Sequence, residues 1–225
     1  GAAVNFALQA GDSLAKVSTI ADETVLSMDQ ISAGAMEVSN DTGVAFADFN
    51  EALYQTISAT GDTANAIGYT EIAAKAAKGG FTDTATAVDG LTTIMNSYGL
   101  SGVDNMQKVS DMMLMTQNYG KTTFGELASS MGQVIPITSQ LDMSIEEVMS
   151  IMATLTKNGI GTSEAVTGLK AALSNIISPS TEAAKAAELL GLDFSASALQ
   201  SKGMTGVMDD VKAALQQASP EFAEL

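Results

Sequence analysis

Between Lys121 and Ile177 the chain carries three apolar helical stripes in a row, each closed by a stop signal. That succession constrains the fold more than any other feature. Phe124, Leu127, Ala128, Met131, Val134 and Ile135 recur at the i, i+3, i+4, i+7 spacing of one helical face. This first helix is predicted to open at Thr123-Phe124-Gly125-Glu126 and to stop near Pro136, whose ring clashes with the preceding turn. The second opens on Ser144-Ile145-Glu146-Glu147, a capping-box pattern, and buries Ile145, Val148, Met149, Met152 and Leu155. It is predicted to end at Asn158-Gly159-Ile160, with glycine left-handed and an apolar residue following. The third sets Val166, Leu169, Leu173, Ile176 and Ile177 on one side and closes at Ser178-Pro179. Three consecutive half-apolar helices have to pack on one another.

The same punctuation runs through the rest of the chain. Residues 2–20 read as a helix weakened near Gly11, and 27–40 as a short helix with Ile31, Ala35 and Val38 inward. A turn is expected at Asn40-Asp41-Thr42-Gly43. Phe46, Phe49, Leu53 and Ile57 form the next face, and Ala64 to Lys78 an alanine-rich helix stopped by Gly79-Gly80. Thr82 is the expected N-cap of a helix carrying Val88, Leu91, Ile94 and Met95, and a capping box is expected over Ser101 to Asp104. Pro179 is placed at the first position of a helix ending at Gly191-Leu192. A turn over 195–201 and a last helix from Thr205 to Ala218, with Val207, Val211, Ala214 and Leu215 inward, complete the reading.

Strand signals are nearly absent. The predicted fold is therefore all-α: a compact bundle of about eight to ten short antiparallel amphipathic helices. It is divided into an acidic N-terminal pair over 1–42 extending from the body, a helical core over 43–193, and a C-terminal turn and helix over 194–225. As one continuous helix the 225 residues would span about 340 Å. Folded together they have a radius of gyration of about 17 Å. Frequent glycine stops favour the second. The Gly at position 1 suggests a piece cut from a longer chain.

Composition removes most chemistries. The chain has no Cys and no His, which excludes a Ser-His-Asp triad, a thiolate nucleophile and His- or Cys-ligated zinc. Net charge is −16 and every cation is Lys, a poor basis for gripping phosphates, so no specific nucleic-acid binding is expected. Gly120-Lys121-Thr122 imitates the end of a phosphate loop, but Met115 stands where the first glycine belongs and no strand precedes it. Ser13 and Lys16 have Ser-x-x-Lys spacing without the supporting motifs. Glu146/Glu147 and Asp209/Asp210 are neighbours whose side chains diverge by about 100° on a helix, so neither is an acid/base pair. No catalytic, cofactor-binding or metal-binding residue is predicted. Methionine is in excess, with nine of 13 between Met95 and Met152. Met is an adaptable core filler, yet Met112, Met113 and Met115 cannot share one narrow stripe and mark a candidate interaction surface.

Several blocks of sequence, in order and spacing over 16–177, carry a family likeness. They include Lys16-Val17-Ser18-Thr19-Ile20-Ala21-Asp22, Ala73 through Thr82, and Asn96-Ser97-Tyr98-Gly99-Leu100. The most specific runs from Gln117-Asn118-Tyr119-Gly120-Lys121-Thr122-Thr123 through Glu126-Leu127-Ala128-Ser129-Ser130-Met131 to Pro136. Together they resemble the core region of phage tail tape measure proteins of long-tailed phages and prophages of Gram-positive hosts. The resemblance implies a non-enzymatic structural virion protein in the lumen of the phage tail, present in the host cytoplasm during assembly. It implies roles in tail assembly, tail-length determination and genome ejection. The implied partners are the tail tube protein, tail-tip proteins and tail assembly chaperones, with a small homo-oligomer in the full-length protein. A membrane-perturbing helical domain acting on the host envelope is the alternative. A hydrolase using Glu126, Glu146 or Glu147 is the third reading.

Overall fold

The structure, a computed structural model, describes residues 2–217. These residues form twelve α-helices and, among them, no strand. In order they are α1 (Ala2–Ser18), α2 (Met28–Thr42), α3 (Phe46–Thr60), α4 (Ala66–Gly79), α5 (Thr84–Ser97), α6 (Val103–Tyr119), α7 (Phe124–Ser130), α8 (Ile135–Gln140), α9 (Ile145–Lys157), α10 (Thr162–Ile177), α11 (Thr181–Leu189) and α12 (Ala196–Gln217). The chain is all-α as its pattern predicts, with twelve helices rather than eight to ten; one predicted helix divides in two, and a predicted turn proves helical.

The first difference lies in the organising stretch. Pro136 does not stop a helix there. α7 ends at Ser130, a 3-10 turn covers Met131–Gln133, and Pro136 sits in the first turn of α8, where its missing N–H goes unnoticed. The apolar stripe continues across the break, so Met131, Val134 and Ile135 are all buried. The second difference lies at the C-terminal end, where most residues of the turn expected over 195–201 are helical, from Ala196 on. They form the first part of α12, which breaks at Gly203 (φ 68, ψ 176) before continuing.

Caps shift elsewhere. Gly11 does not interrupt α1. Asp83, not Thr82, caps α5, its carboxylate accepting the Thr86 N–H at 2.8 Å. Gly102 (φ 89) stands at the start of α6 with no side-chain cap, in place of the box expected from Ser101. Pro179 precedes Ser180, which caps α11 through the Ala183 N–H. The helical stops at Gly61, Gly99, Gly159 and Gly191 fall where their spacing places them.

Two hydrophobic clusters organise the packing. The larger joins α4 through α10, the 3-10 turn and part of α12, with Leu91, Ile94, Met113, Phe124, Leu127 and Val148 at its centre. The smaller gathers Val17, Ile31, Ala35, Val38, Phe46, Phe49, Leu53 and Ile57 from α1 to α3, with Ala66 of α4. The N-terminal helices placed at 1–42 lie against α3 and α4 and do not project from them.

Candidate functional site

The stretch from Gln117 to Glu126 turns the chain from α6 into α7, and its side chains tie five helices together. Gln117 accepts the Phe124 N–H at 2.7 Å and donates to the Gly79 carbonyl at 3.3 Å. Gly120 lies against α9 so closely that a Cβ there would be 2.5 Å from Thr156 Oγ1 and 3.1 Å from the Ala153 Cα. The Lys121 N–H donates to Thr156 Oγ1, and the Thr122 and Thr162 hydroxyls pair at 2.8 Å. Thr123 and Glu126 form a complete capping box, and Glu126 also accepts from Thr162 Oγ1 at 3.0 Å. The Thr122 hydroxyl and the Glu126 carboxylate are thus engaged in holding α7 to α10, while the Lys121 N–H makes the tie to α9. The Gly-Lys-Thr sequence follows a helix, α6, and not a strand.

The other scattered groups are likewise drawn into the fold. Ser13 donates to the Ala10 carbonyl and accepts from Asn50 Nδ2, while Lys16 turns to Glu51 at 2.9 Å, so the two do not meet. Asp210 pairs with Lys202 at 2.6 Å. Ser144 caps α9 through the Glu147 N–H, but the Glu147 carboxylate does not return to Ser144; it accepts the Met204 N–H at 2.7 Å. Asp62 takes hydrogen bonds from the Asn65 backbone and side chain and from the Tyr69 hydroxyl. Burial disfavours its charge, but these donors outweigh burial and hold its pKa below the usual carboxylate range. Tyr69 in turn accepts the Gly102 N–H at 2.8 Å, and burial first, then Asp62, pushes its hydroxyl pKa up. No group of three or more metal-capable side chains occurs among the described residues. No helix of the described residues is long and apolar enough to cross a membrane.

The structure separates the three predicted surface methionines. Met113 is fully buried and belongs to the core, so it is removed from the candidate surface. Met112 is half-buried and Met115 is 52% exposed. With Tyr119, Met149, Glu146 and Lys157 they line an open groove of about 360 Å³ between α6 and α9. Ile145 and Tyr98 extend the apolar surface beyond its far end. Tyr119, which the sequence reading did not single out, is 67% exposed on the same face.

Sequence reasoning also missed Phe81. The glycines at 79 and 80 fall one residue early: the left-handed position after α4 is Phe81 itself, at φ 55. Gly80 is required instead because it rests on Phe124, with no room for a Cβ. Phe81 is 88% exposed. A bulky residue in this conformation costs of order 1–2 kcal/mol, and the described fold returns nothing for it. No local sequence signal locates it, because the shift is set by the packing of Gly80 on Phe124.

A punctuated all-helical chain whose Glu126, Glu147 and Asp62 carboxylates are bound to donors of the fold has the make-up of a structural protein. The chain belongs to the phage-related minor tail protein family, which matches over residues 32–224. It is a structural component of the phage tail and so of the virion. It is similar to a probable tape measure protein of Clostridium phage phiCD119, at 33% identity over 139 residues. The aligned part is 60% of this chain and 15% of that protein. No solved structure matches the chain.

Proposed function

We propose that this chain is a compact, non-enzymatic module of a tail tape measure, acting in tail assembly, tail-length determination and genome ejection. The observation that carries the reading is the family match over 32–224 falling on a chain whose helices fold back every 10 to 20 residues. A ruler is long and continuous, at 1.5 Å of rise per helical residue. Short antiparallel helices around shared clusters suit an organising or docking body, with the ruler elsewhere in the full-length protein. The module acts in the tail lumen, and in the host cytoplasm while tails assemble. Its partners are the tail tube protein, tail-tip proteins and assembly chaperones, in a small homo-oligomer that needs no cofactor and reads no nucleic-acid sequence. The engagement of Glu126 and Glu147 in backbone hydrogen bonds supports the non-enzymatic reading.

In-frame deletion of residues 16–217 from the full-length gene tests this. The expected outcome is loss of assembled tails. Infectious particles with tails shortened by about 300 Å, in proportion to the helical residues removed, would assign the segment to the ruler instead. A second reading, perturbation of the host membrane, is favoured by the outward Met115, Tyr119 and Phe81. Leakage of dye from vesicles by the purified chain is its test, and intact vesicles across pH 5–8 would count against it.

A further inference from the structure

We infer that the second half of α12, residues 204–217, is a hinged strap over the α9–α10 face, latched by Glu147. Four features of the structure meet at this point. Gly203 breaks the helix at φ 68, a left-handed conformation that strains any residue with a Cβ, and a Cβ there would lie 2.5 Å from Glu147 Oε1. The first half of α12 is held separately, by buried Ala198 and Leu199 and by Gln200 donating to Asp142. Beyond the hinge only Met204 and Val207 are buried, while Met208 and Leu215 face solvent. Between this half and α9–α10 runs an open groove of about 610 Å³, with Ile151, Leu155, Leu169 and Met208 in its walls. The strap therefore rests on a narrow footing above an apolar face.

Glu147 gives this footing two positions. Its carboxylate accepts the Met204 N–H, one of the orphan donors that begin the helix after the kink. Its own neighbourhood offers another donor: the Ser144 N–H, the partner that the capping-box sequence Ser144-Ile145-Glu146-Glu147 prepares and that Glu147 leaves unused in the latched state. Releasing Met204 lets the same carboxylate close that box. The latched and open states thus exchange one charge-assisted hydrogen bond for another, and the open state uncovers Ile151, Leu155 and Leu169. The Lys202–Asp210 ion pair spans the hinge, but both side chains are about half exposed, so it adds little to the hold.

Amide hydrogen exchange on the whole 225-residue chain tests the device, with Glu147→Ala, Glu147→Gln and Val207→Ala compared with the parent. In Glu147→Ala, exchange over 204–217 accelerates at least about tenfold, while α9 and α10 keep the parent's rates because Ser144 still caps α9. Glu147→Gln, which keeps an acceptor oxygen without the charge, lies between the two. In Val207→Ala the strap loosens and the Ser144 amide becomes more protected as Met204 becomes less so. That reciprocal change is what a merely structural Glu147 would not produce. Unchanged exchange over 204–217 in Glu147→Ala would overturn the latch. A uniform rise across α9, α10 and α12 would also overturn it, making Glu147 a general stabiliser of the fold.

Discussion

The two hydrophobic clusters reach similar burial by different means. The larger is drawn tight by small residues and hydroxyls: a Cβ on Gly90 would be 2.6 Å from the Ala128 Cα of α7, and one on Gly120 3.1 Å from the Ala153 Cα of α9. Thr122, Thr156 and Thr162 bridge its helices, so nearly every polar atom inside has a partner. The smaller relies on bulk, with Phe46 and Phe49 at its centre, and admits one polar fault. Asn50 is fully buried; its Nδ2 reaches Ser13 at 3.0 Å, but its Oδ1 has no partner. Within the described residues α1 gives this cluster one fully buried apolar side chain, Val17, with Ala10 and Leu14 partly buried against it. Backbones brought into contact make a rigid body, whereas bulky side chains over a narrow footing make an attachment.

If that contrast is right, substitutions should divide by cluster. The largest effect belongs to Phe124→Ala, which empties the centre of the larger cluster and destabilises the whole chain by about 3–5 kcal/mol. Val17→Ala at the edge of the smaller one loses about 1–2 kcal/mol and loosens α1 before the rest. Urea unfolding followed at both ends of the chain distinguishes the two. Gly90→Ala forces α5 from α7 and lowers stability by about 1–3 kcal/mol; an unchanged melting temperature would show that the close approach is dispensable.

Two changes should raise stability. Phe81→Gly relieves the left-handed backbone and gains about 1 kcal/mol. Asn50→Leu removes the unpartnered acceptor and gains a similar or smaller amount, unless the Ser13 bond specifies how α1 sits. The smallest expected effect is on acidification. Asp62 and Asp83 both have depressed pKa values, Asp83 through the Thr86 N–H and then its hydroxyl. Their contribution is complete above the unfolded carboxyl value of about 3.9 and fades as pH falls through the folded value. Asp62→Asn should therefore flatten the acid limb of a melting-temperature profile, which can be read by calorimetry between pH 5 and 2.5.

Helical faces were legible in the sequence because burial writes itself as period. Ile31, Ala35 and Val38, or Val148, Met149 and Met152, are buried as their spacing predicts. Stops were legible where glycine alone satisfies the geometry, as at Gly159 and Gly191. Local signals failed where two neighbours compete for one role. Asp83 took the cap offered to Thr82, which instead lies against Gly125. Pro136, which either ends a helix or begins one, began one. Residues 195–201 looked too polar for a helix because only Ala198 and Leu199 face the core. Of the candidate surface, Met112 and Met115 could be read, and Met113 could not be told from them, since adjacent positions on α6 differ only by rotation. The Glu147–Met204 bond spans 57 residues, and no local pattern announces it.

A rigid body centred on α5, α7, α9 and α10 carries α1 and the end of α12 as attachments. Amide exchange of the unmodified chain under native conditions measures this directly. The slowest amides should lie in α5, α7, α9 and α10, with α1 and residues 204–217 exchanging at least about tenfold faster through local opening. Slowest exchange in α1, or one uniform rate across all twelve helices, would contradict it.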